Sequence, residues 1–371
     1  MKQVTLLESG SLLADGRQPA APYLHAPATI AVMMRWVMLA LIPATLLGFY
    51  QFGWPAILLF LVTVGSALLA EAVALALAGK PLRLTLQDGS ALLCGWLLAL
   101  TLPPWAPWWI GVLGAFLAII VAKQVFGGIG QNLFNPAMVA RVALLISFPL
   151  EMTLFTAPQP LFSATAPDFL QSLGITFAGA SVDAYTGATL LGHLKTELAR
   201  GVAVSELLPQ GVSWWQFGMG AESGSLGETS ALLLLLGGLL LLYKRIISWV
   251  IPLALLVGVT LPALLAYLLD AERFLSPLTH LLSGGVMLTA FFIATDPVTS
   301  PVTRRGQILF AFGCGLLLWI IRTFAGYPEG AAFAVLLMNA FTPLIDHYLK
   351  PRIYGRDRHG EPLRYAAGGE P

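Results

Sequence analysis

Apolar stretches about as long as a bilayer is thick recur along nearly the whole chain, each closed by Gly, Pro or a charge. A hydrocarbon core about 30 Å thick needs ~20 mostly apolar residues per helix. Read at that length, the 371 residues predict ten spans, near 32–51, 55–78, 88–104, 107–124, 134–150, 230–244, 247–269, 275–295, 306–322 and 330–349. The third and fifth are short. Between the fifth and sixth lies a long mixed stretch, 151–229, with Trp214 and Trp215 near its end as membrane-interface residues. A loop of that length is usually functional. The fold expected is an all-α polytopic membrane protein of about ten transmembrane helices. Its parts are an N-terminal segment 1–29, a five-helix half 30–150, the loop 151–229, a second five-helix half 230–349 and a tail 350–371.

The halves carry a faint echo of each other. Gly89 to Pro103 ends in Thr101-Leu102-Pro103, and Ser283 to Pro297 ends in Thr295-Asp296-Pro297. Phe126-Gly127-Gly128 returns as Phe324-Ala325-Gly326 at nearly the same offset. Five spans per half force opposite orientations, which is the inverted-repeat pattern of transport folds. Chance likeness between Gly- and Pro-containing apolar segments is the alternative.

Ten spans put both termini on one side. With the N-terminus in the cytoplasm, 15 of the 20 Lys and Arg fall in inside segments. Four (Lys195, Arg200, Arg273, Arg322) fall outside, and Arg141 lies within a span. The positive-inside rule therefore sets the termini in the cytoplasm and loop 151–229 outside, which in a bacterium is the periplasm. Residues 1–28 have no apolar core of a cleavable signal and contain Pro19, Pro22 and Pro27, so the first run reads as an uncleaved span.

Composition agrees. The chain is 57% apolar and 11% charged, against about 25% charged in a soluble domain. A net charge of +1 gives no argument for a nucleic-acid partner. Cys94 and Cys314 sit in apolar runs, and without a Cys-x-x-Cys pair the chain alone cannot supply four thiolates to an iron–sulfur cluster. The five histidines have no i,i+4 pair, so no metal site is expected. Gly127-Gly128-Ile129-Gly130 is not a phosphate loop: no strand precedes it and no Gly-Lys-Ser/Thr follows. Glycine there lets the backbone leave the helix, against protein or a water-lined cavity.

Ionisable groups inside spans usually face the bundle interior. Glu71, Arg141, Asp296 and Asp346 are such groups. Asp296 precedes Pro297 at a broken helix end, whose carbonyls can coordinate Na⁺, so Asp296, Glu71 and Asp346 are candidates for an ion path. The plain alternative is snorkelling or pairing with a base, Arg141 included. Asn132 and Asn135, three apart, can face one way. Their amides suit the donor–acceptor edge of a polar ligand, or else cap and cross-link helices. Asp183-Ala184-Tyr185-Thr186-Gly187-Ala188-Thr189 reads as a turn with Gly187 free to take positive φ. Thr189 then offers its hydroxyl at a turn or helix start; Thr186 or Thr189 capping a short helix is the alternative.

This last run resembles the Asp-x-x-(Ser/Thr)-Gly-Ala-Thr motif of the D subunit of the Rnf (Rsx) ion-translocating electron-transport complex. It is also similar, more distantly, to the B subunit of the Na⁺-translocating NADH:quinone reductase. Segments 123–138, 291–299, 322–330, 333–339 and 351–355 match the same family in order, so the resemblance runs from about residue 30 to 355. It implies FMN joined by a phosphoester to Thr189, with Asp183, Thr186, Gly187 and Ala188 as recognition context. A separate flavin transferase that uses FAD would install it. The resemblance also implies noncovalent riboflavin beside Asn132 and Asn135. The function implied is that of an inner-membrane subunit relaying electrons, between ferredoxin and NAD⁺ in the family, coupled to Na⁺ or H⁺ transport. Its partners would be the other subunits of the complex, a flavin-bearing G-type subunit among them, and membrane lipid. A redox-silent secondary transporter with inverted repeats explains the duplication and the acids but not the flavin motif. A scaffold whose loop docks a partner is a third reading. A reporter that folds only in the periplasm, fused near Gly224, should be active; activity only of a cytoplasmic reporter there would reverse the orientation.

Overall fold

A computed structural model of the chain describes residues 29–179, 189–207, 218, 223–228, 230–325, 327 and 329–351. Among these the regular elements are all helical. The first half holds α1 (Ile30–Leu77), α2 (Leu82–Leu86), α3 (Ser90–Thr101), α4 (Trp108–Phe116), which runs on as a π-helix over Leu117–Gln124, and α5 (Pro136–Ser147). Then come α6 (Pro149–Thr153), α7 (Phe169–Ala178), α8 (Leu190–Ala199) and α9 (Val204–Leu207). The second half holds α10 (Ala231–Tyr243), α11 (Val250–Leu269), α12 (Pro277–Leu282), α13 (Val286–Leu288), continued as a π-helix over Thr289–Ile293, α14 (Arg304–Phe324) and α15 (Ala331–Tyr348). Among the described residues, α1, α11 and α14 are long and apolar enough to cross a membrane.

One long helix breaks between two predicted spans, and two spans predicted as continuous are each divided. Helix α1 runs on for 48 residues but is broken at Gly53, φ 71° and ψ −159°, into limbs that correspond to the predicted spans 32–51 and 55–78. Glycine has no Cβ to clash at that φ. The predicted span 134–150 divides into α5 and α6 at Phe148, where Pro149 opens the next helix. The span 275–295 divides into α12 and α13 at Ser283-Gly284-Gly285. Gly284 has φ 66°, and a Cβ there would collide with the Glu329 carboxylate and the Arg322 guanidinium.

Small residues let the helix backbones meet. Gly258 of α11 and Gly315 of α14 lie back to back: a Cβ on Gly258 would be 2.5 Å from Phe312 O, and one on Gly315 would strike Leu255 O. Gly237 and Gly238 of α10 press in the same way on Ala40 O of α1 and on the Phe291 ring. In an apolar solvent such close approach supplies the packing that hydrophobic burial does not. One core of fully buried side chains, Leu41, Phe52, Leu98 and Phe310 among them, runs through both halves.

The two ends of the bundle differ. On the loop side, segment 154–179 covers the Gly53 turn. Leu161 N–H donates to Tyr50 O at 2.6 Å, and Phe169 and Phe177 of α7 lie against Trp54 and Trp108. Segment 223–228 reaches the end of α3, where Gly227 N–H donates to Leu100 O at 2.6 Å. On the opposite, tail side, Thr29 caps α1 and lies close to Gln87 and Asp88. Replacing Gly258 with Val should force α11 and α14 apart and cost about 1–3 kcal/mol or more, as overpacking does. Thermal unfolding in detergent reads this directly; a Tm equal to the parent's would mean the crossing is loose.

Candidate functional site

On the tail side a partly open chamber, its cavity about 110 Å³, lies between the halves. Its walls are apolar, from Met33, Met34 and Val37 of α1, Leu93, Cys94 and Leu97 of α3, and Phe292. Its polar groups are few: Ser90, Lys123, Asn132, Asn135, Thr295 and Asp296. Concave, mostly apolar, with a handful of convergent polar groups, it has the form of a small-molecule site.

Each polar group is held by a local device. The loop after the π-helix turns through Gly127, Gly128 and Gly130, with φ of 116°, 106° and 86°, and Lys80 Nζ donates to Gly127 O at 3.0 Å. Asn132 Nδ2 donates to Phe134 O at 3.1 Å. Asn135 is the N-cap of α5 with Pro136 at the first helical position. Its Oδ1 accepts the Met138 N–H at 3.3 Å, and its Nδ2 donates to Ile293 O in the other half at 3.5 Å. Asn135 thus caps α5 and ties the halves, Asn132 bonds within its own loop, and both line the chamber. Asp296 ends the second π-helix in a turn: its Oδ1 accepts from Val298 N–H at 3.1 Å and its Oδ2 from the Thr299 hydroxyl at 3.2 Å.

The acids predicted for one path do not form one cluster. Glu71, 1% exposed, accepts from Lys123 Nζ at 2.9 Å, and Lys123 also donates to Ser90 Oγ at 2.8 Å. Lys123 touches the chamber, whereas Glu71 stands behind it with Oε2 buried and unpartnered. Asp346 lies apart from the lining and accepts the Val302 N–H at 3.1 Å. Arg141 belongs to the loop side and is 7% exposed. Lys123 is the functional candidate missed in the sequence, where it counted only toward topology; a lone lysine at the end of an apolar run was the available signal.

The other predicted site lies on the loop side. Thr189 is 8% exposed and is the N-cap of α8, its Oγ1 accepting the Gly192 N–H at 3.1 Å. Asp183, Thr186, Gly187 and Ala188 lie outside the described residues. Helix α8 is fastened to the end of α14: Lys195 Nζ donates to the carbonyls of Ile321, Arg322 and Tyr327 at 3.3, 3.0 and 3.1 Å. Burial holds this ammonium below its ordinary pKa. A cleft with about 950 Å³ of empty space runs beside α8, bordered by Lys195, Arg273, His280 and Arg322. No cluster of three metal-ligating side chains occurs among the described residues.

Helices of membrane-spanning length, broken around a chamber and carrying buried charges, define a helical membrane protein. A model of the NQR2, RnfD, RnfE family matches residues 18–355. The D subunit of an ion-translocating oxidoreductase complex from Halorhodospira halophila (strain DSM 244 / SL1) is 54% identical over 93% of this chain and 97% of its own length. The protein of the same name from Stutzerimonas stutzeri is 56% identical over 89% and 94%, and that from Rhodobacter capsulatus 51% identical over 81% and 84%. The chain belongs to the NQR2, RnfD, RnfE family. Replacing Lys123 with Met should leave the Glu71 carboxyl without its partner in the bundle and cost about 3–5 kcal/mol, with much of it recovered in Lys123→Met/Glu71→Leu. Denaturation of the parent and these two variants checks this; a single-variant loss below about 1 kcal/mol, the range of exposed pairs, would mean water reaches the pair.

Proposed function

We propose that this chain is the D subunit of an ion-translocating oxidoreductase complex of the bacterial inner membrane, with FMN joined through a phosphoester to Thr189. The observation that carries the reading is the place of Thr189 in a chain of this family. Its hydroxyl opens a ten-residue helix, at the first-turn amides and the positive end of the helix dipole, which is where phosphate is favoured. Lys195 holds that helix on the bundle, and Asp183, Thr186, Gly187 and Ala188 would be the context read by the flavin transferase.

A flavin bound there supplies the one- and two-electron chemistry that no side chain of this protein offers. The chain's own residues position the attachment point at the start of α8. The tail-side chamber suits a second, noncovalent flavin such as riboflavin: apolar walls for the ring, and the amides of Asn132 and Asn135 at its rim. The reading includes ten spans in two inverted five-helix halves, with cytoplasmic termini and the 151–229 loop in the periplasm. It couples electron flow, of the ferredoxin:NAD⁺ type, to Na⁺ or H⁺ movement. Asp296, Glu71 and Asp346 are its candidates for the ion path. Ferredoxin and nucleotide would bind partner subunits, since no dinucleotide fingerprint occurs in this sequence. Electrons would pass to and from a flavin-bearing G-type subunit.

The rival is a redox-silent secondary transporter of the same fold. The complex, matured with its transferase, should show a flavin-fluorescent band for this subunit on a denaturing gel, absent from Thr189→Ala. A band that persists in Thr189→Ala moves the attachment elsewhere. No band in the parent, with the transferase active on another subunit, favours the transporter.

A further inference from the structure

Three charged side chains from distant segments meet on the loop side of the bundle. Arg141 of α5, Glu228 just before α10 and Glu329 just before α15 line a small chamber of about 40 Å³, together with Thr101 and Thr289. Gly285, in the break between α12 and α13, has both acids beside it. A Cβ built on it would lie 3.8 Å from Glu228 Oε1 and 3.8 Å from Glu329 Oε2. Two carboxylate oxygens thus converge on one glycine.

The second oxygen of each acid is engaged. Glu228 Oε2 accepts the Ser225 N–H at 3.3 Å. Glu329 Oε1 accepts from Arg322 Nη2 at 2.6 Å and from Gly285 N–H at 3.3 Å. The two convergent oxygens have no donor among the described residues. Arg141, 7% exposed, is also open toward the chamber: its contact is Met152 Sδ, 3.9 Å from Nη1. No ion pair joins it to a carboxylate among the described residues. A buried guanidinium with five donors and two open carboxylate oxygens make a small polar space of the kind that holds ordered water.

Charge decides what the site binds. Arg322 neutralises Glu329 by direct contact. Glu228 shares the chamber with that second carboxylate and with Arg141, touching neither, while Thr101 and Thr289 bring no charge. Facing carboxyl groups are most stable when one proton is held between them. Burial first, and Glu329 second, push the Glu228 carboxyl up to about 7, with Arg141 and the Ser225 hydrogen bonds opposing.

We propose that Glu228 is a proton-exchange site of this subunit, taking a proton from chamber water and sharing it with Glu329, with Arg141 as the positioning residue that favours release. The step is a protonation alone: hydronium gives its proton to the carboxylate, leaving water and a carboxylic acid, and no electron moves. Its use in transport rests on the ion-translocating reading above; the site's chemistry does not.

Infrared difference spectra of the whole complex, recorded against pH, test this without turnover or flavin, so failure here is distinct from failure of the Thr189 assignment. A protonated-carboxyl band titrating near 7 is expected. It should be missing from Glu228→Gln. Glu329→Gln should lower its midpoint by about one unit, a tenfold loss of proton affinity, and Arg141→Gln should raise it. Should Glu228→Gln fail to assemble, Glu228→Asp keeps a carboxyl and should keep a titrating band with a shifted midpoint. An unchanged band in Glu228→Gln, or an unshifted midpoint in Glu329→Gln, overturns the proposal. So does a midpoint that moves when Na⁺ replaces choline, which would make the chamber an alkali-cation site.

Discussion

Carbonyls freed where a helix stops inside an apolar bundle are the constraint around which this structure is arranged. Each one left bare in hydrocarbon costs several kcal/mol. Tyr50 O and Phe52 O, released at the Gly53 break, take the Leu161 N–H and the Trp105 indole N–H. Leu100 O at the end of α3 takes Gly227 N–H. The break at Ser283-Gly284-Gly285 is covered by a single guanidinium, Arg322, which donates to His280 O at 2.8 Å and Ser283 O at 3.1 Å. Lys195 does the same for three carbonyls at the end of α14. A cation with several donors can satisfy a broken helix alone, but once buried it needs an acid. That is how Glu329 comes to stand at Gly285, and how charge enters an apolar fold.

One run of chain connects the two chambers. Helix α13 and its π continuation present Leu288, Thr289 and Ile293 to the loop-side chamber, and Phe292, Thr295 and Asp296 to the tail-side one. Asn135 ties the middle of that run to the first half through Ile293 O. A π-helical turn inserts one residue and so rotates the rest of the helix by about 100°. The wide turn, closed by Ala294 N–H to Thr289 O, therefore decides which side chains look into which chamber. The π-helix over Leu117–Gln124 acts likewise on Lys123, which reaches Glu71 and Ser90 together.

Much of this was legible in the sequence, because apolar length and Gly or Pro punctuation are local signals. Gly53 divides α1 between two predicted spans, and Asp296-Pro297 marks a helix end. Asn132 and Asn135 do share a chamber. What was not legible depends on meetings between segments far apart in sequence. Glu228, Glu329 and Arg141 are separated by 87 residues or more, and no periodicity brings them together. Two cations counted in the topology argument, Lys123 and Arg322, are 3% and 5% exposed. They serve the bundle interior rather than flanking loops. Taking Lys123 from the 15 inside and Arg322 from the four outside leaves 14 against three, so the orientation expected from charge is unchanged.

The acids differ in how their lone pairs are occupied, and that matters more than whether they fall within an apolar run. Asp296 has both oxygens held by the turn it begins, from Val298 and Thr299. Asp346 is tied to the Val302 amide, and Glu71 to Lys123. These contacts fix where each carboxylate sits, although Glu71 keeps its Oε2 without a partner. Glu228 comes from outside the spans, accepts one backbone N–H and keeps an oxygen open toward a second acid. Its surroundings favour the proton without fixing it. The donors around each acid thus set how firmly its carboxylate is held, and at Glu228 they leave one oxygen facing a second acid.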